Sequence, residues 1–147
     1  MATLADSSWL RMRHTPPEGV AFAPWSTTLP LEGEPVVSVH HPRADRQKRA
    51  AGVFKDYLHC EDANDCGEDA DPDGIHDLSV AWTEGVTDAG SSGSGLFLAS
   101  TGELIGVLSG GLSGCEHPEG VDDDGWFGLA DREGLDLWLG QASESPR

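Results

Sequence analysis

Between Thr87 and Phe97 the chain reads Thr-Asp-Ala-Gly-Ser-Ser-Gly-Ser-Gly-Leu-Phe, a pair of serines framed by glycines. Glycines before and after a serine let the backbone turn tightly and aim successive N–H groups at one point. Acyl transfer requires such a place, because the attacking serine oxygen must stand beside donors for the developing oxyanion. A serine hydroxyl is also a weak nucleophile unless a nearby base takes its proton. Six histidines in the chain could supply that base, namely His14, His40, His41, His59, His76 and His117. A Gly/Ser-rich run taken alone is commonly a loop, so the surrounding elements must decide.

Those elements read as short strands. Val36–His40 is entered from Pro35, ended by Pro42 and rich in β-branched residues. Val53-Phe54 and Tyr57-Leu58 suggest a further strand or pair, and residues 78–82 alternate clearly. Residues 95–99 and 104–109 flank Ser100-Thr101-Gly102, which reads as a hairpin turn. Residues 126–130 form a last strand, and 134–139 suit a short C-terminal helix. Trp9–Met12 is another strand candidate, followed by the break Pro16-Pro17-Glu18-Gly19 and an extended connector from Val20 to Trp25. Short strands separated by Gly, Pro and Asp predict an all-β, antiparallel barrel or sandwich.

Composition sets bounds on function. The 147 residues suit one ordinary domain, and 19 glycines fit a loop-rich β protein. With 9 basic and 26 acidic residues the net charge is −17, which argues against nucleic acid as a partner. No run approaches the roughly 18 apolar residues of a membrane span. The first dozen residues lack the basic and apolar regions of a signal peptide. Cys60 and Cys66 are near enough in sequence for a small local bridge, which would leave Cys115 over.

Residues 61–77 carry eight acidic side chains and are expected to form a solvated surface loop, since these carboxylates could not be buried unpaired. Asp62, Asn64, Gly67 and Asp73 loosely echo a calcium loop. The echo is poor. Cys66 occupies a ligand position, the final ligand is Asp instead of a bidentate Glu, and flanking helices are not evident.

The nucleophile-like turn, the following hairpin, Gly106-Val107-Leu108-Ser109-Gly110-Gly111 and then Cys115 together resemble the second barrel of trypsin-like serine endopeptidases. The GSSGS variant of the turn resembles the lysyl-endopeptidase group, as does Val39-His40-His41-Pro42 with Lys48 beyond it. The resemblance runs over roughly residues 6–139. It implies a six-stranded antiparallel Greek-key barrel over 25–140, with 61–77 as an insertion and 141–147 as a polar tail. Residues 1–24 would then be the last strand of a first barrel and the connector between barrels.

Carried over residue by residue, the resemblance makes Ser92 the nucleophile and the amides of Gly90 and Ser92 the oxyanion hole. Ser109, Gly110 and Gly111 match the strip that binds the substrate backbone. Ser91 stands where many relatives have an aspartate that pairs with a new N-terminus on activation. Asp6, ahead of Trp9-Leu10, resembles the aspartate that orients the catalytic histidine. That histidine should lie upstream of Asp6, and none of the five preceding residues is histidine. His40 and His41 would sit at the start of the second barrel, away from the site. The position of the trypsin-type specificity acid is Val86. In lysyl-specific relatives the acid comes from a later loop, whose spacing falls on Gly125, and a one-residue adjustment brings Asp124 to the pocket. The expectation is a serine endopeptidase acting on polypeptides, exported, without a cofactor, possessing a basic-residue preference and inactive without an added N-terminal barrel. A non-catalytic peptide-binding descendant and an acidic calcium-binding module are the competing readings.

Overall fold

The computed structural model describes residues 12–26, 28–62, 65–68, 77–116 and 124–129. Seven strands account for most of them: β1 Pro35–His40, β2 Lys48–Asp62, β3 Asp65–Glu68, β4 Asp77–Glu84, β5 Gly95–Leu98, β6 Leu104–Gly111 and β7 Asp124–Leu129. All named strand pairs are antiparallel, in the order β1-β5-β6-β7-β4-β2-β3. An additional β1–β2 pairing runs from Pro35↔Val53 to His40↔Lys48. It joins β1 to the next-to-last strand of the row, so six strands close into a barrel and β3 hangs outside as a hairpin with β2. The expected six-stranded antiparallel barrel is the observed one. The expected helix over 134–139, the first-barrel strand and Asp6 lie outside the described residues.

The barrel interior holds Val36, Ala50, Phe54, Leu78, Val80, Trp82, Leu96, Leu98, Ile105 and Leu108, with Tyr57 and Val86 packed against them. Phe54 and Tyr57 meet as tilted rings with centroids 4.7 Å apart, a favoured aromatic geometry. The Tyr57 hydroxyl donates to the Pro30 carbonyl at 2.6 Å. Gly33 N–H donates to Phe54 O at 2.8 Å, and Phe54 N–H to Glu34 O at 2.9 Å. These bonds strap residues 30–34 to β2. The connector is strapped lower down, where Ser26 N–H donates to Leu104 O and Leu104 N–H to Pro24 O.

Two departures from the sequence-based expectations matter. β1 turns Val36, Ser38 and His40 inward and leaves Val39 exposed, so two polar side chains occupy the buried face. The acidic insertion opens as a strand pair: β2 runs on to Asp62 and returns as β3, with Cys60 opposite Cys66. Asp62 and Gly67 of the calcium-loop echo sit on these paired strands, and Asn64 and Asp73 lie outside the described residues. Cys115 is free and exposed.

β2 and β4 approach closely at Gly52, next to a register shift between Ala51 and Gly52. A Cβ there would collide with the Ala81 carbonyl oxygen and come within 2.9 Å of Trp82 Cα. Backbone of a neighbouring strand cannot yield as a side chain can. Gly52→Ala should cost at least about 2 kcal/mol, read as a lower urea midpoint, whereas Gly102→Ala meets no neighbour within 4 Å and suffers only from its positive φ.

Candidate active site

Two tight turns in succession build the serine loop. Ser91 N–H donates to Asp88 O at 2.9 Å, and Ser94 N–H donates to Ser91 O at 3.1 Å. The third residue of each turn is a glycine at positive φ, Gly90 at 89° and Gly93 at 82°. That is the type II pattern, which an L side chain resists. Ser91 ends one turn and begins the other. Its side chain is buried, while Gly90, Ser92 and Gly93 are exposed.

The orientation of the Ala89–Gly90 peptide is fixed from outside the loop. Arg43 N–H donates to Ala89 O at 2.7 Å. A trans peptide points its C=O and N–H in opposite directions, so this bond turns Gly90 N–H away from Arg43. Among the described residues the amides of Gly90 and Ser92 make no hydrogen bond. Downstream, Gly93 N–H donates to Leu108 O and Leu108 N–H to Ser94 O, each at 2.9 Å. The serine loop is thereby laid against β6, whose end carries Ser109, Gly110 and Gly111. Gly111 pairs with Gly125 on β7, and Asp124 is the first residue of that strand. Ser92, the 109–111 strip and Asp124 thus follow one another along a single rim of the barrel. Ser109 Oγ donates to buried Asp77 at 3.3 Å, a partner that no motif in the sequence signals.

Asp88 anchors the first turn. It accepts from Ala89 N–H at 2.6 Å, Cys115 N–H at 2.9 Å and Arg43 Nε at 2.8 Å. The bonds from Cys115, then Ala89 and Arg43, hold its carboxyl well below the usual carboxylate range, and Asp88 in turn pushes the Cys115 thiol up.

His40 departs from expectation. It is buried at 3% exposure, and its Nδ1 lies 2.8 Å from Ser91 Oγ. It therefore reaches the serine loop, although the family resemblance sets it apart from the site. Its neighbour is Ser91 and not Ser92. His41 points elsewhere, its Nδ1 donating to Asp45 O at 3.2 Å. No described side chain hydrogen-bonds the Ser92 hydroxyl. The signal for His40 was the period-two placement of Val36, Ser38 and His40, masked by two valines on the opposite face.

Comparison with known proteins now decides the family. Residues 2–128 match the family model described as lysyl endopeptidase, C-terminal domain. The chain belongs to that family. Lysyl endopeptidase of Pseudomonas aeruginosa is 35% identical over 123 residues, which cover 81% of this chain and 24% of the relative. The chain spans about a quarter of that curated relative's length. Among solved structures, Rv3671c from M. tuberculosis H37Rv, in an inactive serine-to-alanine form, superposes with a TM-score of 0.53. That match covers 85% of this chain and 56% of the other at 13% identity, a likeness of fold alone. The trypsin-like barrel of the lysyl endopeptidase family is the architecture observed here.

Two outcomes follow. Gly90→Ala would force a Cβ to 3.4 Å from Arg43 N and His41 O at a φ of 89°. It should cost roughly 1–2 kcal/mol and favour the flipped peptide, seen as displacement of the Arg43 amide NMR signal, whose bond to Ala89 O the flip would break. Burial, then the nearby His41 charge, lowers the His40 pKa below its ordinary 6.5. The unfolded chain then takes up a proton before the folded one does. The His40 contribution to stability is complete above 6.5 and is lost as pH falls through the lower folded value. Urea midpoints between about pH 7.5 and pH 5 should fall further for wild type than for His40→Asn.

Proposed function

We propose that this chain carries the nucleophile half of a serine endopeptidase that cleaves peptide bonds through an acyl-enzyme. Ser92 attacks the carbonyl, the amides of Gly90 and Ser92 hold the oxyanion, and Ser109, Gly110 and Gly111 bind substrate backbone. The carrying observation is an exposed serine on a turn whose two flanking amides have no other partner among the described residues. Membership of the lysyl endopeptidase family supports the same chemistry. No cofactor enters this reaction.

The proton acceptor for Ser92 would come from outside the described residues, oriented by Asp6 as the resemblance implies. His40 cannot serve, since it is buried against Ser91. Asp124, at the start of β7, is the proposed acid that receives a lysine or arginine side chain by a charge-assisted hydrogen bond. The name of the Pseudomonas relative favours lysine. Export to the periplasm or beyond is proposed on the same relationship.

A peptide-binding protein without catalysis is the second reading, favoured by the lack of any described base on Ser92. An organophosphonate serine probe separates the two. Wild type should be labelled and Ser92→Ala should not, because only an activated hydroxyl reacts. Equal labelling of both would remove Ser92 from the role. Lysine-ended peptide binding by an unlabelled wild type would establish the second reading. Asp124→Asn should then weaken basic peptides by roughly tenfold or more, about the 1.4 kcal/mol of a lost charge-assisted bond, while leaving neutral ones unchanged.

A further inference from the structure

The segment from His40 to Arg43 grips the serine loop at three points. His40 Nδ1 meets Ser91 Oγ at 2.8 Å, Arg43 N–H meets Ala89 O at 2.7 Å, and Arg43 Nε meets Asp88 at 2.8 Å. Arg43 and Ala44 take positive φ values of 51° and 57° without being glycine. Such conformations cost of order 1–3 kcal/mol each and persist only where surrounding structure imposes them. The segment is shaped to this grip at the expense of its own backbone.

The direction of the His40–Ser91 bond can be deduced. Ser91 Oγ has two neighbours, His40 Nδ1 and the Asp88 N–H, which donates to it at 3.2 Å. If Nδ1 carried the hydrogen, the buried hydroxyl proton would have no acceptor, and Nε2 would be an acceptor without a donor. If the hydroxyl donates to Nδ1, only Nε2–H lacks a partner among the described residues. Fewer buried polar groups are stranded in the second arrangement, so it is the one the protein adopts. The chain of donation is Asp88 N–H to Ser91 O–H to His40 Nδ1. Any ordering of Ser91 is passed to Gly90 and Ser92, because Ser91 is the shared corner of both turns.

We propose that His40 is a positioning residue for the oxyanion site, accepting the Ser91 hydroxyl proton at Nδ1 so that Ser91 locks both turns with the Gly90 and Ser92 amides facing out. This inference rests on the acyl-transfer reading of the site. The role needs a proton acceptor where Nδ1 stands, and not merely a filled volume. Ser38 extends the same buttress one pair of residues down β1, donating to Gly95 O at 2.9 Å, which leaves its oxygen to accept from the Ser94 hydroxyl at 3.3 Å.

Acceptor and volume are separable by substitution. Asparagine places its side-chain oxygen near the Nδ1 position but is smaller than histidine. Leucine fills the volume and accepts nothing. In amide NMR spectra, His40→Asn should keep the Gly90 and Ser92 signals near their native positions, and His40→Leu should displace both. Wherever wild type reacts with the phosphonate probe, His40→Leu should slow labelling by roughly tenfold or more without changing the concentration at half saturation. Native Gly90 and Ser92 signals in His40→Leu would overturn the proposal, as would displacement in His40→Asn alone. Failure of wild type to label counts against the protease reading, and the amide signals still decide the role of His40.

Discussion

β1 is hydrogen-bonded along both of its edges, to β2 on one side and to β5 on the other. With both edges committed it can neither slide nor roll, because a slip of one residue would exchange its faces. Everything at the serine loop follows from that constraint. The inward face presents Val36 to the core, then Ser38, then His40, so it becomes polar as it nears residues 88–95. The apolar end holds the barrel together and the polar end holds the loop.

The loop shows how a backbone site can be specified largely by what surrounds it. Its two turns supply two internal backbone–backbone bonds, and the side chains of Asp88 and Ser91 accept one more each from Ala89 N–H and Asp88 N–H. The rest comes from neighbours: Arg43 on Ala89, Leu108 on Gly93 and Ser94, and His40 on Ser91. A type II turn differs from a type I turn by rotation of its central peptide. That rotation would carry Gly90 N–H from the exposed side to the opposite one. Glycine at φ 89° permits the useful orientation, and Arg43 selects it.

Much of this was legible in the sequence, and the reasons for the remainder are physical. Residues 36–40, 78–82 and 104–109 announced strands through β-branched and apolar runs. The Gly-Ser-Ser-Gly-Ser turn announced its own geometry, because so few residues tolerate positive φ. Burial of His40 was hidden, since Val37 and Val39 made the opposite face look like the interior. The run of β2 through Asp62 into β3 was hidden too, because acidic residues have weak strand propensity and their pairing is decided by the hairpin register. Asp77 beside Ser109 could not be seen from spacing alone, as 32 positions separate them.

A closed ring leaves none of its six strands with a bare flank. Among the described strands β3 alone keeps one, and it is the piece outside the ring. Exposed strand flanks invite another chain to add itself, and proteins deter this with short strands and charge. β3 has four residues, two of them acidic, and it opens a stretch of dense negative charge. Two such hairpins meeting edge to edge would bring like charges together. Like charge on β3 thus disfavours that pairing at the bare flank found among the described strands.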